Sequence, residues 1–191
     1  MKYVSIDLET TGINPKNSSI LEFGAVIDDL SNPLPLKKLP RFHGYIKEPN
    51  DVITGEYYAL QMNQAIIKKI AKGKIDNKNI YTPYSILYHF YLFLQKHGYT
   101  TTKESKISII PAGKNFDSFD RRFIEKLKDY KFYFNIAHRS IDPGPMYLEK
   151  DDDKVPDLKT CLKRAGINKK VAHNAIDDAL DVVKLIRYKL L

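Results

Sequence analysis

Two short runs constrain this chain most. Tyr3-Val-Ser-Ile6 and Ile20 to Ile27 (ILEFGAVI) are apolar on both faces of an extended backbone, and strands with no solvated face must be covered on both sides. Between them, Thr10-Thr11-Gly12 and Asn14-Pro15 carry turn chemistry. Three prolines in the stretch Ser31 to Pro40 predict an irregular or edge connection into a third strand at Arg41 to Lys47. The first three strands therefore read as an antiparallel meander.

Helical spacing takes over after the meander. Tyr57, Leu60, Ala65, Ile66 and Ile70 fit one or two short helices. Pro83 opens another that runs to about His97, with Ile86, Leu87, Phe90, Tyr91 and Leu94 facing inward. Lys106 to Ile110 (KISII) predicts a strand, Ser118 to Lys128 a helix and Phe132 to His138 a strand. Asp157 to Ala165, ended by Gly166, and Ala175 to Leu190 predict the last two helices. Strands interleaved with helices in this order imply an α/β fold, a sheet covered by helices. No repeat or Gly/Pro-rich linker divides the 191 residues, so residues 1–191 read as a single domain, large enough to fold without disulfide or structural metal.

Composition narrows the partners. Lysine plus arginine is 31 against 23 acidic residues, a formal charge of +8, which favours a polyanion such as nucleic acid or an anionic membrane face. The single cysteine, Cys161, excludes an intramolecular disulfide framework and a multi-cysteine zinc site, and fits a reducing compartment. Asp7 and Glu9 stand where a signal peptide needs an apolar core, and the longest apolar stretch, Ile86 to Leu94, is short and broken by His89. The expectation is a cytoplasmic protein with no membrane partner.

Three constellations carry chemistry. Asp7 and Glu9 are two apart on the first strand, so both point to one face. Unpartnered they repel each other, and a hard cation such as Mg²⁺ or Mn²⁺ resolves the conflict. The bland reading of a lone pair of this kind is a hydrated strand end. In Asn115-Phe-Asp-Ser-Phe-Asp120-Arg-Arg-Phe-Ile124, helical geometry gathers Phe123, Ile124 and Leu127 around Asp120. A carboxylate inside an apolar stripe needs a partner, whereas Asp117 is adequately explained as a helix N-cap or first-turn acid. In His173-Asn-Ala-Ile-Asp-Asp178, Asn174 suits an N-cap with Asp177 three residues on, leaving His173 on the preceding loop. Ala175, Ala179, Val182, Val183, Ile186 and Leu190 then define the buried face, Asp178 sits on its margin, and Asp177 and Asp181 point away.

Taken together, Asp-x-Glu on the first strand, FDxxF at a helix start and His-x4-Asp before the last helix resemble the DEDDh family of 3′-to-5′ exonucleases. That family includes RNase T, oligoribonuclease and the proofreading subunits of DNA polymerases. The resemblance runs from Val4 to about Arg187. It implies a ribonuclease H-like fold, a mixed five-stranded sheet flanked by helices. It implies four metal-binding acids, Asp7, Glu9, Asp120 and Asp178, with His173 as general base. It also implies two Mg²⁺ or Mn²⁺ ions in phosphodiester hydrolysis, a nucleic-acid substrate with a free 3′ end, and nucleoside 5′-monophosphate products. Only Phe119-Asp120, not Phe116-Asp117, continues as FDxxF, and Asn115 stands near the asparagine that precedes this acid in related enzymes. The motif spacing is nearer that of oligoribonucleases, while Asp-Leu-Glu-Thr-Thr-Gly is a proofreader-like form, so DNA and RNA both stay open as substrates.

The backbone and hydroxyls of Thr10, Thr11 and Gly12 are candidates for holding the terminal nucleotide, with Leu8 and Phe116 or Phe119 as surfaces against it. Ile53 to Tyr58 resembles a segment that lies beside that nucleotide in related enzymes. Lys114, Arg121, Arg122, Lys126 and Arg139 are candidates for tracking phosphates, with solvated surface charge as their bland reading. The run Glu149 to Asp153 reads as an exposed loop, and His43, His89, His97 and His138 belong to no constellation. A polymerase, repair or RNA-processing partner would be a separate chain. The rival reading is a non-catalytic nucleic-acid- or partner-binding module on the same fold.

Overall fold

A computed structural model describes residues 1–72, 79–103, 105–168 and 173–191. β1 (Lys2–Thr10), β2 (Ile20–Asp29) and β3 (Arg41–Ile46) form the antiparallel meander. β4 (Ile80–Tyr81) adds to β3 in parallel. β5 (Ile107–Ile109) runs into β6 (Pro111–Ala112), which lies parallel to β1, and β7 (Phe134–Ile136) pairs with β5. The main sheet has five strands in the order β4-β3-β2-β1-β6 and is mixed; β5 and β7 make a separate two-stranded ladder. The helices are α1 (Tyr57–Met62), α2 (Gln64–Lys72), α3 (Ile86–Lys96), α4 (Asp120–Ile124), α5 (Tyr130–Tyr133), α6 (Pro143–Met146), α7 (Leu158–Arg164) and α8 (Ala175–Leu190).

The two-faced strands are covered as their sequence demands. Val4, Ile6 and Leu8 of β1 join Phe23, Ala25 and Phe42 in a core closed by Leu87, Phe90 and Leu94 of α3. On the other face, Tyr3 and Val26 pack against Ala179, Val182, Val183 and Ile186 of α8. The two-residue period of β1 therefore puts Asp7 and Glu9 on the face that α8 covers. Asn174 caps α8, its side chain accepting the Asp177 amide at 2.9 Å.

Several expectations need correction. The helix drawn over Ser118 to Lys128 is only α4, and the strand drawn from Phe132 begins at Phe134. The helix closes at its C-cap Glu125, and Asp129, at φ +63°, opens the separate α5, which turns Tyr133 onto Tyr91 of α3, ring centroids 5.2 Å apart. KISII is not one uniform strand of the main sheet. Its Ile110 carbonyl accepts the Val4 amide at 2.9 Å, and Pro111, with no N–H to give, marks the switch of partner. β4, two residues long, is too short for any periodic signal. On α8, Leu190 is exposed, while Asp181 is fully buried and ion-paired to Lys184 at 2.7 Å. The helix is enclosed on its outer side as well, where Leu185 packs with Tyr147, just past α6, and with Cys161 and Leu162 of α7.

Candidate active site

β1 delivers the first two acids at its open end. β6 pairs with β1 only at Val4 and Ser5, and the register with β2 shifts between Glu9 and Thr10, an irregularity of the kind that re-aims side chains beside active sites. The Leu8 amide, beyond the reach of β6, donates instead to Asp120 Oδ1 at 3.0 Å. That bond ties α4 to β1 and holds Asp120, 2% exposed, against the strand. The fourth acid comes from the first turns of α8. One carboxylate oxygen from each of Asp7, Glu9 and Asp178 lies within 4.8 Å of the others.

Burial and mutual repulsion set the electrostatics. Removal from water pushes the Asp7 carboxyl well above the usual carboxylate range, and the charges of Asp120, Asp178, Glu9 and Glu22 add to the effect. Glu9 is pushed up to about 7 by desolvation, then by Glu22 and Asp178, against a hydrogen bond from Asn63. Asp120 is raised by desolvation, offset in part by its own amide and that of Leu8. Asp117, by contrast, is lowered despite some burial, because Ser140 and Arg121 hydrogen-bond to it. The two FD doublets thus part: Asp120 faces the acid cluster and Asp117 faces an arginine.

A cleft of about 350 Å³ is lined by Asp7, Lys114, His173, Asp178, Asp157 and Leu158. His173 is exposed and stands just before the α8 cap with φ +46°. Asn115 has φ +60°, a left-handed conformation that asparagine tolerates better than most residues. Its amide donates to Asp142 at 3.0 Å and its Oδ1 accepts from Lys114 at 2.6 Å. Left-handed non-glycine residues thus flank the cleft on two sides, at a cost of about 1–3 kcal/mol each that the surroundings must offset.

The other expected binding residues are placed unequally. Asn115 is exposed and Phe119 is half-buried against Phe123, whereas Gly12 is buried, packed against Ser18 and Glu56. Leu8 and Phe116 are core residues, 5% and 0% exposed. The Thr10 hydroxyl donates to the Gly12 carbonyl, and the Thr11 hydroxyl donates to Thr54 O and accepts from the Ser19 amide, so both are committed within the loop. Ile53 to Tyr58 does lie beside this loop, the Glu56 amide meeting Thr11 O at 2.7 Å. Of the basic candidates, Arg121 is held by Asp117 and Lys126 by the Pro15 carbonyl, while Arg122 and Arg139 are exposed. Asp152 and Glu149 of the acidic run bind Arg164 of α7, which explains that run without a metal.

Glu22 was not marked by the sequence, and His43, expected to belong to no constellation, pairs with it. Glu22, directly opposite Glu9 in the β1–β2 register, is 1% exposed and lies 2.5 Å from His43 Nε2. Its signal was available: a carboxylate within an otherwise apolar strand, on the face that period two shares with Glu9. His43 showed none until β3 was placed beside β2.

A mixed sheet in this order, with acids supplied by its first strand and two helices, is a ribonuclease H-like fold. The chain belongs to the RNase T exonuclease family, whose sequence profile matches residues 4–186. No curated protein matches it. Its fold is similar to that of E. coli exonuclease I in complex with a dT13 oligonucleotide, at TM-score 0.63 and 16% identity, over 97% of this chain and 40% of that one. Exonuclease I from Methylocaldum szegediense gives 0.60 and 16%, over 98% and 40%. Cell-death related nuclease 4 (CRN-4) gives 0.62 and 14%, over 97% and 62%. This chain spans about two fifths of the exonuclease I chains, and at these identities the likeness is one of fold.

Proposed function

We propose that the protein is a DEDDh-type exonuclease that hydrolyses single-stranded nucleic acid from the 3′ end to nucleoside 5′-monophosphates, using two divalent cations, Mg²⁺ or Mn²⁺. The observation that carries this reading is the convergence of Asp7, Glu9 and Asp178 within 4.8 Å, with Asp120 locked behind them and His173 on the same cleft.

The site suits hard cations. Its donors are all carboxylate oxygens, the preferred ligands of Mg²⁺ and Mn²⁺, and burial together with neighbouring carboxylates raises the proton affinity of Asp7, Glu9 and Asp120, a cost that a bound cation would relieve. Asp7, Glu9 and Asp178 would hold one ion and Asp7 and Asp120 the other. When bound, the ions supply charge neutralisation and activation of water for attack at phosphorus. The chain's own residues do the rest. His173 takes the proton of the attacking water on a ring nitrogen. Asp120 keeps the end of β1 fixed through Leu8, and the Thr10-Thr11-Gly12 loop that leaves β1 would lie against the terminal nucleotide. The buried free thiol of Cys161 suits a reducing compartment such as the cytoplasm, and no helix among the described residues is long and apolar enough to cross a membrane.

A time course on end-labelled single- and double-stranded DNA and RNA, with Mg²⁺ and with chelator, tests the reading. Stepwise shortening from the 3′ end is expected, abolished by chelator and by Asp7→Asn, and lowered on the order of 10²–10⁴-fold in His173→Ala. Cleavage of circular substrates, or equal rates in both variants and wild type, would overturn it. Folded protein that binds oligonucleotide but neither binds Mn²⁺ nor cleaves would leave the non-catalytic binding module.

A further inference from the structure

Glu22 is a buried carboxylate that the four-acid site does not use. Its two oxygens have separate partners: Oε1 meets His43 Nε2 at 2.5 Å, and Oε2 accepts the Ala175 amide at 3.2 Å. Ala175 is the first residue of α8, so its N–H is one of those a helix cannot satisfy internally. Asn174 satisfies a second, that of Asp177. Gly24, on the same face of β2, lets the helix end come so near that a Cβ there would lie 2.3 Å from the Ala175 carbonyl carbon. The start of α8 is therefore pressed onto β2 at Gly24 and held by its first amide at Glu22. Asp178 follows three residues later, and His173 precedes by two.

A carboxylate is an expensive choice for this place. Glu22 sits across the ladder from Glu9, where like charges are unfavourable, and an apolar side chain of similar size would cost less to bury. The hydrogen bond to α8 gives the charge a use. We propose that Glu22 is a positioning residue: backed by His43, it fixes the first turn of α8 and so sets Asp178 and His173 relative to Asp7 and Glu9. The effect on hydrolysis rests on the exonuclease reading; the hold on α8 does not.

Two conservative variants separate reach from charge. Glu22→Asp keeps the charge but withdraws the oxygen from Ala175, whereas Glu22→Gln keeps an acceptor for Ala175 and loses the charge. In Glu22→Asp, amide exchange at Ala175 should accelerate, Mn²⁺ affinity should fall about 10-fold, and kcat on a single-stranded oligonucleotide should fall 10–100-fold with KM little changed. Glu22→Gln should return all three to within about 3-fold of wild type. The proposal is overturned by wild-type Ala175 exchange and Mn²⁺ affinity in Glu22→Asp, or by Glu22→Gln being the more damaged of the two. Wild-type protein that binds no Mn²⁺ and cleaves nothing defeats the exonuclease reading instead, and Ala175 exchange in Glu22→Asp still decides whether Glu22 holds the helix.

Discussion

Glu9 shows at a single side chain what the site stores. Its carboxyl titrates near 4.5 in an unfolded chain and is pushed up to about 7 in the fold, chiefly by desolvation. Between those values the folded protein binds a proton that the unfolded chain has released. The stability this gives is complete below about pH 4.5 and is lost as the pH rises through 7. Asp7 and Asp120 shift in the same direction, so in chelator the melting temperature should fall by several degrees between pH 5 and pH 8. Millimolar Mg²⁺ should restore it at pH 8 and do little at pH 5, where the proton competes for the same oxygens. Differential scanning calorimetry across that range, with and without Mg²⁺, checks this, and a pH-independent melting temperature in chelator would refute it. Asp7→Asn removes the acid repelled by the most neighbours. It should melt a few degrees higher than wild type in chelator while losing hydrolysis, the expected exchange of stability against function.

At the scale of the elements, the join between β2 and α8 is the most sensitive point. In Gly24→Ala, the new methyl has backbone rather than a flexible side chain to displace. A loss of about 1–3 kcal/mol is expected, with Mn²⁺ affinity falling too because the start of α8 is pushed off the sheet. Asn174→Ala removes only the cap and should cost about 1 kcal/mol; urea unfolding of the two variants ranks them. This join also shows where the sequence was legible. The start of α8 could be read to the residue, because cap, helical period and Asp178 agree, and Asp120 could be chosen over Asp117 because one interrupts an apolar stripe and the other does not. The β1–β3 meander was equally plain from two runs with no polar face. What stayed hidden depends on neighbours remote in sequence. Asp181 is buried on the side of α8 where Leu185, one turn on, packs against α7, and a separate short α5 sets Tyr133 against α3. β4 and β6 are two residues each and exist only through partners already in place. The committed hydroxyls of Thr10 and Thr11 could not be known before the loop was closed.

Over the whole molecule, charge is divided rather than merely positive. The chain carries +8. Setting aside Asp7, Glu9, Asp120 and Asp178 leaves nineteen acids against the 31 bases, so a formal +12 surrounds a centre that reaches −4 only when all four acids are ionised. For an ordinary basic protein, divalent cations compete for the phosphates and weaken binding to nucleic acid. Here two effects oppose each other, because cations that enter the centre remove its repulsion for a phosphate at short range. In the low-dielectric cleft that repulsion acts almost unscreened, whereas the surface lysines and arginines act across water and within a Debye length of about 10 Å at 0.1 M salt. The local effect should win at low divalent concentration. Anisotropy of a 5′-labelled single-stranded oligonucleotide should therefore show tighter binding with micromolar to millimolar Ca²⁺ than with chelator, the strand being verified intact by gel. Added monovalent salt should weaken binding in both conditions, log K falling by about 0.7 per phosphate contacted for each tenfold rise in salt. In Asp7→Asn the gain from Ca²⁺ should shrink while the salt slope stays, since the surface charge is untouched. Binding that is as tight in chelator as in Ca²⁺ would mean that the strand does not reach the acids, and that the basic surface and the carboxylate centre serve different ligands.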